Sequence, residues 1–244
     1  MRRVAQDRGL DVTVTDVTEK YVTVGIWGPN ARVNLQKVVE DPEALSLENF
    51  PFAAIRPVRI AGKDVMAFRI SYVGEQGWEL HMAYEDGLEV WDALRSTGVI
   101  AVGIETYANS RRMEKSLRLQ NADLLTHYNL LEADLARPKA KEADFRGKAK
   151  HLEHRAREHQ PAKLCTLVMT DNVDSQGVKR YPVGILPVID PETGEVPVDA
   201  LGRRSYTTSI AYGPSIGKNI ALAYLPWALC QEGRMLEVEY FGER

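Results

Sequence analysis

A chain of 244 residues with 44% hydrophobic and 27% charged side chains has the composition of a globular protein, with room for one large domain or two ordinary ones. Its formal charge of −3 argues against a general nucleic-acid binder, which carries a basic surface. No stretch approaches the roughly 18–20 consecutive apolar residues of a membrane-spanning helix, and Met1-Arg-Arg-Val-Ala-Gln-Asp7 has no apolar run behind its arginines, so it does not read as a secretory signal. Cys165 and Cys230 are the only cysteines. They are far apart and in no metal-type spacing, so free thiols in a reducing compartment are the default reading, with one disulfide between them left open.

In chain order, residues 2–8 read as the end of a helix. Val12-Thr-Val-Thr-Asp-Val17 and Tyr21-Val-Thr-Val-Gly-Ile-Trp27 alternate β-type side chains and predict two strands. Gly28-Pro-Asn-Ala-Arg32 then opens a helix, with Asn30 as N-cap and Val33, Leu35, Val38 and Val39 as its apolar stripe. A further pair of strands flanks Gly62-Lys-Asp64. Tyr84 to Ser96 reads as an amphipathic helix with Leu88, Trp91 and Leu94 on one side. This order of strands and helices predicts an α+β domain on a mainly antiparallel sheet.

The most informative stretch is Phe68-Arg-Ile-Ser-Tyr-Val-Gly-Glu-Gln-Gly-Trp-Glu-Leu-His-Met82. It predicts a hairpin with Gly74–Gly77 as a four-residue loop. Counting outward, Val73 opposes Trp78, Tyr72 opposes Glu79 and Ile70 opposes His81, on a face shared with Phe68. A carboxylate among apolar side chains needs a donor, because burying it alone is costly. Either Glu79 is solvated or paired with an arginine, or it accepts a ligand edge carrying two adjacent N–H donors.

Glu105 to Leu117 predicts another helix, with Met113 and Leu117 inward and Glu114 placed to pair with Arg118, a contact contributing about 0.3–0.5 kcal/mol if exposed. Lys139 to Gln160 reads as a charged helical linker; its His151, His154 and His159 lack the further ligands a metal site needs. After Pro161, Leu164-Cys-Thr-Leu-Val-Met169, Arg204–Ser209, Ala221–Leu225 and Leu236–Tyr240 alternate between Gly and Pro turns, the pattern of a small β-barrel or sandwich. The acidic loop 190–199 lacks calcium-ligand spacing. Gly213-Pro-Ser-Ile-Gly-Lys-Asn219 has three residues between its glycines and Asn219 in place of Ser or Thr, so it is a structural turn rather than a phosphate loop.

Ser71-Tyr-Val-Gly-Glu-Gln-Gly-Trp-Glu79 followed by Asn109-Ser-Arg-Arg-Met-Glu-Lys-Ser-Leu-Arg118 closely resembles the folate-binding aminomethyltransferase family, that of the glycine cleavage T protein. The likeness continues through Leu131-Glu-Ala-Asp134, Asp144-Phe-Arg-Gly-Lys148, Tyr206-Thr-Thr-Ser209 and Gly217–Pro226, in the expected order. The fold it implies is a folate-binding domain over 1–158, lacking its N-terminal part, and a C-terminal β-barrel domain over 159–244. Where the glycine-cleavage proteins carry a folate-contacting arginine, two residues before Ser110, this chain has Ala108. That departure places it beside the C-terminal half of the dimethylglycine and sarcosine dehydrogenases.

The cofactor the resemblance implies is tetrahydrofolate, with Glu79 accepting the ring N–H and exocyclic amino group of the pterin and Tyr72 lining the same pocket. Tyr107 is a further candidate for the wall and equally a core aromatic. The implied activity passes a one-carbon unit from a methylated glycine to tetrahydrofolate. Alternatives are the free-standing glycine-cleavage enzyme, a folate-dependent demethylase, and a folate-binding or structural unit without catalysis. The family's catalytic carboxylate falls upstream of Met1, Asp11 and Asp16 having the wrong context, so no catalytic residue is assigned. There is no glycine-rich dinucleotide fingerprint, and FAD would belong to a separate flavin domain or subunit. The expected partners are folate and a small methylated amine or amino acid, in the cytoplasm or, in a eukaryote, the mitochondrial matrix.

Overall fold

The computed structural model describes residues 1–244. The chain divides into two compact units, one of Met1–Ser71 with Glu75–Ala101 and one of Tyr72–Gly74 with Val102–Arg244. The first contains helix α1 (Arg2–Asp7), strand β1 (Tyr21–Trp27), helix α2 (Ala31–Gln36), strands β2 (Ile55–Ile60), β3 (Lys63–Phe68) and β4 (Gly77–Ala83), and helix α3 (Gly87–Ser96). The four strands form an antiparallel sheet in the order β1-β4-β3-β2.

Alternation explains which side of this sheet is buried. Ile26 of β1, Val58 and Ile60 of β2, Val65 and Ala67 of β3, and Trp78, Leu80 and Met82 of β4 face one way. There Ala31 and Leu35 of α2 and Val90 and Leu94 of α3 cover them. On α3 the inward residues are Gly87, Val90 and Leu94, whereas Leu88 and Trp91, expected inside, are exposed. On α2, Val33 likewise faces solvent, and Asn30 precedes the helix without a capping side-chain bond. Residues 12–17 form no strand and are largely exposed. They have the alternation of a strand but no apolar surface to cover, and β1 pairs only with β4.

The turn between β2 and β3 is two residues long, because Ile60 pairs with Lys63. Both loop residues are left-handed, Ala61 at φ 52° and Gly62 at φ 77°, the backbone of a primed hairpin turn. The connection from β3 to β4 differs from the expected four-residue loop. Here Phe68, not Tyr72, stands opposite Glu79, and Met66 opposes His81. The residue that faces Glu79 lies four positions earlier in β3, and residues 69–76 form the loop. Register is fixed by the buried row: Val65 and Ala67 must meet Met82 and Leu80 on the core side, and sliding the strand would remove that match.

The second unit contains a helix over residues 104–113 whose middle, Thr106–Arg111, is a π-helix. Helix α4 (Lys148–Arg155) follows, then strands β5 (Ala162–Val168), β6 (Val188–Ile189), β7 (Thr207–Gly213), β8 (Lys218–Pro226) and β9 (Glu237–Val238). The helical part of the expected linker is thus eight residues long. The expected Glu114–Arg118 pair does not form. The helix ends after Met113 and Ser116 is left-handed at φ 52°, so the two side chains are not one turn apart. Glu114 instead pairs with Arg111 at 3.0 Å and accepts from Ser215 N at 2.6 Å. Arg118 turns to the Ala133 and Ser116 carbonyls.

The C-terminal β-barrel expected from the alternation is not formed. The strands make an open three-stranded sheet, β5-β8-β7, and a separate two-stranded ladder, β6-β9. Closure needs each edge strand to find a partner along its length. The two strands that would have to close the ring, β6 and β9, are two residues each. Toward β7 there is no ladder, only the isolated bridge between Pro187 and Tyr206, flanked by Thr207 N donating to Leu186 O at 2.8 Å and Val188 N to Ser205 O at 3.3 Å. Between β5 and residues 231–240 a cavity of about 950 Å³ opens instead. The motif Gly213–Asn219 is the turn of the β7–β8 hairpin, with Gly217 N donating to Gly213 O at 2.9 Å.

Candidate functional site

Glu79 lies on the side of the first sheet turned away from the core, with Thr23, Gly25 and Trp27 of β1 and Phe68 and Met66 of β3 on the same side. Its register partner on β1 is Gly25. A Cβ added at Gly25 would fall inside the indole of Trp27, so this glycine is the space in which the Trp27 ring lies flat on the sheet beside Glu79. Trp27 Nε1 donates to Ile70 O at 3.0 Å, which pins the ring to the β3–β4 loop. On the other flank Phe68 opposes Glu79 directly, and its ring packs on that of His81 with centroids 4.3 Å apart.

The Glu79 side chain is 23% exposed, neither turned to bulk water nor sealed. Its one protein partner is His81 Nε2 at 3.6 Å, beyond hydrogen-bond distance. His81 Nδ1 is 2.8 Å from Thr23 Oγ1, while Nε2 is buried without a hydrogen-bond partner. If Thr23 donates to Nδ1, the ring proton is on Nε2 and faces Glu79. A carboxylate can accept about four hydrogen bonds, and here both oxygens keep that capacity between two aromatic walls. Such a group suits a ligand edge with two parallel N–H donors, a charge-assisted contact strengthened where water is partly excluded.

Tyr72 and Tyr107 belong to the second unit and pack on each other, ring centroids 5.4 Å apart at 53°. Tyr72 Oη donates to Arg118 O at 3.1 Å, and burial pushes its phenol up from the ordinary value. Tyr107 sits on the π-helix, a widening of the helical turn found often at functional sites. The structure therefore brings Tyr72 to Tyr107 and not to the strand position opposite Glu79.

Sequence reasoning missed the polar centre beneath that π-helix. Arg112 and Asp123 are fully buried and joined at 2.6 Å. Arg112 also donates to Ala108 O at 2.7 Å, Leu117 O at 2.9 Å and Ser209 Oγ at 2.6 Å. Asp123 accepts from Leu119 N at 2.8 Å, from Ser209 Oγ at 2.8 Å and from Thr208 Oγ1, and its carbonyl takes the Tyr224 hydroxyl at 2.8 Å. The available signal was the hydroxyl run of Tyr206-Thr-Thr-Ser209 on a strand expected to be core. In the Glu79 cluster the missed residues are Gly25, Trp27 and Thr23, whose signal was their shared parity on β1.

The three linker histidines are engaged otherwise than in a cluster. His151 Nε2 accepts from Arg155 Nε at 2.9 Å, Gln160 donates to the carbonyl of His154, and His159 stacks on Trp227 at 4.8 Å. No group of three or more His, Cys, Asp or Glu side chains is placed to hold a metal ion. The large cavity of the second unit is lined by neither Tyr72 nor Tyr107.

Comparison with known proteins places these features. Residues 1–141 match the family described as the GCVT N-terminal domain, and residues 180–244 the glycine cleavage T-protein C-terminal barrel domain. The chain is 34% identical over 241 residues to the mitochondrial dimethylglycine dehydrogenase of Homo sapiens, covering 96% of this chain and 26% of that protein. It is 32% identical over 232 residues to an aminomethyltransferase of Listeria welshimeri, covering 93% of this chain and 58% of that protein. It thus spans about a quarter of the first relative and less than two thirds of the second. The crystal structure of the glycine cleavage system aminomethyltransferase T from Bartonella henselae shares the fold, with a TM-score of 0.59 and 17% identity over 92% of this chain and 81% of that one. The ordered motifs from Ser71 to Pro226 and the match over residues 1–141 agree: this chain belongs to the GCVT, or aminomethyltransferase, family.

Proposed function

We propose that the chain binds tetrahydrofolate through Glu79 and serves the transfer of a one-carbon unit to it from a methylated glycine. The observation that carries this reading is the state of the Glu79 carboxylate: half-sheltered, walled by Trp27 and Phe68, and without a hydrogen-bond donor of its own. A pterin offers a ring N–H and an exocyclic amino group side by side, the donor pair such a carboxylate takes with both oxygens. Tyr72 and Tyr107, packed on each other in the second unit, are proposed as further folate contacts in their own right.

When bound, tetrahydrofolate supplies the nucleophilic nitrogen that receives the carbon. The work of these residues is to bind, orient and exclude water, which accelerates a two-reactant step by fixing its geometry. His81, held by Thr23, limits the rotamers open to Glu79. The methylated-glycine donor is supported by the 34% identity to dimethylglycine dehydrogenase and by Ala108, where the glycine-cleavage proteins carry an arginine.

Calorimetric titration with tetrahydrofolate tests the reading. Glu79→Gln keeps the shape but turns one acceptor into a donor facing donors. Losing a charge-assisted contact of about 1.5–3 kcal/mol predicts roughly ten- to a hundredfold weaker binding. Equal affinity for both chains removes Glu79 from the site. The rate of methylene-tetrahydrofolate formation from formaldehyde, compared with the uncatalysed rate, then separates transfer from binding alone.

A further inference from the structure

Strand β5 is the free edge of the sheet β5-β8-β7, and its hydrogen-bonding parity shows what that edge offers. Met169 N donates to Asn219 O at 3.0 Å, continuing the ladder with β8. Lys163, Cys165 and Leu167 therefore turn their backbone groups to β8, and Leu164, Thr166 and Val168 turn theirs outward. Leu164 N is taken by Glu132 O at 2.8 Å, whereas Thr166 and Val168 have no backbone partner on this edge and are exposed. Strand β9 repeats the arrangement. Glu239 N donates to Pro187 O at 3.2 Å, so Glu237 and Glu239 face the β6 side, and Leu236 and Val238 present unpaired backbone groups on the other. Residues 164–170 and 236–238, the two open edges, both line the cavity of about 950 Å³.

The two edges match. Every pairing from β5 through β8, β7 and β6 to β9 is antiparallel, so β5 and β9 run in the same direction and one strand running against both can pair with each. The side chains agree with the backbone. Leu236 and Val238 on one edge, and Leu167 and the free thiol Cys165 on the other, pack on the same buried cluster of Val188, Ala223 and Leu225. The intervening residues, Glu237 and Glu239 on β9 and Thr166 and Val168 on β5, point to the opposite side. The protein itself shows which charge the β9 edge takes. Phe241 and Gly242 are left-handed, at φ 53° and 81°, and Tyr240 and Glu243 exchange backbone bonds of 2.8 and 3.2 Å. This two-residue hairpin lays Arg244 along the edge, its guanidinium 3.7 Å from both Glu237 and Glu239.

We propose that the groove between β5 and β9 docks an extended peptide strand of a partner protein, antiparallel to both edges, in which β-branched apolar residues alternate with lysine or arginine. An unpaired strand edge is a template for another chain, and strand addition takes its affinity from main-chain bonds and its specificity from alternate side chains. The apolar residues of the docked strand bond to the Leu236 and Val238 backbone and face the buried cluster. The residues between them bond to Thr166 and Val168 and carry their positive charge to Glu237 and Glu239. A strand of ordinary length, about five to six residues, spans these positions.

The test titrates the full chain into a fluorescein-labelled, end-blocked peptide, Lys-Val-Lys-Val-Thr-Val. Anisotropy is expected to rise to saturation, and amide exchange followed by NMR is expected to slow at Thr166, Val168 and Val238. The same peptide N-methylated at its valines keeps its side chains and charge but loses the donors that bond to β9, and is expected to bind at least about tenfold more weakly. That comparison needs no variant of the protein. Val168→Pro removes an N–H that has no partner in the chain, a change an edge strand tolerates, and Glu239→Lys reverses one of the two charges; each is expected to weaken binding by about tenfold as well. Three results overturn the proposal: equal binding of the N-methylated peptide, protection appearing away from β5 and β9, or a chain already dimeric with its Thr166 and Val168 amides protected before peptide is added.

Discussion

Two carboxylates in this molecule, Glu79 in the first unit and Asp123 in the second, are set in opposite ways. Asp123 is fully buried and spends its oxygens on Arg112, Ser209, Thr208 and the Leu119 N–H. Glu79 is partly exposed and has a histidine at 3.6 Å and nothing closer. A carboxylate whose lone pairs are all taken by its own chain holds structure and has nothing left for a ligand. One that is flanked by aromatic rings and left unpaired stabilises little and is available for binding. The contrast separates the two acids more sharply than their exposure does.

The largest expected effect comes from breaking the structural pole. Asp123→Ala strands the Arg112 guanidinium in a buried site and leaves the Ser209 hydroxyl without its acceptor, Thr208 keeping only Leu222 O at 3.3 Å. Removing one partner of such a pair costs about 3–5 kcal/mol. Urea unfolding of the variant is expected to show that loss in the transition midpoint. A change below about 1 kcal/mol would mean that water replaces the pair and that the contrast is false.

Glu79→Gln is the matching change at the other pole, with the opposite signature. Because Glu79 holds no hydrogen bond within the chain, unfolding stability is expected to move by less than about 0.5 kcal/mol, while tetrahydrofolate affinity falls as given above. A large stability loss without an affinity loss would make Glu79 a structural residue like Asp123. Thr23→Val sharpens the point. It removes the 2.8 Å contact to His81 Nδ1 at nearly constant volume, which predicts a cost of about 1 kcal/mol in stability and a smaller loss of affinity than Glu79→Gln, measured by the same two experiments.

The sequence carried the strands of this contrast further than their registers. Tyr21–Trp27, the pair around Gly62 and the second half of the hairpin expected over Phe68–Met82 are strands as their alternation predicts. Alternation names a face but does not number the partner. Tyr72 and Phe68 have the same parity, and only the demand that Val65 and Ala67 meet Met82 and Leu80 in the core selects Phe68. Barrel closure failed for a related reason, since a short alternating run such as 236–240 predicts a strand but not the ladder length that closes a ring, and its two-residue partner at Val188–Ile189 was not among the expected strands. Arg112 and Asp123 were illegible because their burial depends on partners far along the chain, Thr208, Ser209 and Tyr224, and each residue alone reads as a solvated charge. Glu79 could be singled out because a local motif and its neighbours on one strand face carry its chemistry; that it binds tetrahydrofolate is the proposal which the Glu79→Gln titration tests.

Ala61 gives the smallest expected effect and the cleanest separation of the two poles. It occupies a left-handed position, φ 52°, in the two-residue turn between β2 and β3, where an L side chain with a Cβ is strained by about 1 kcal/mol or more and glycine is not. Ala61→Gly relieves that strain but gives the unfolded chain more freedom, so the net gain is expected to be about 0.5 kcal/mol in unfolding stability. The turn lies at the far end of β3 from Phe68, in the same sheet as Glu79, and no residue of the Glu79 cluster belongs to it. Tetrahydrofolate affinity should therefore stay unchanged while the unfolding midpoint rises. If affinity rises in step with stability, binding is reporting how well the sheet is folded, and the fall seen with Glu79→Gln would lose its meaning as evidence for a direct contact.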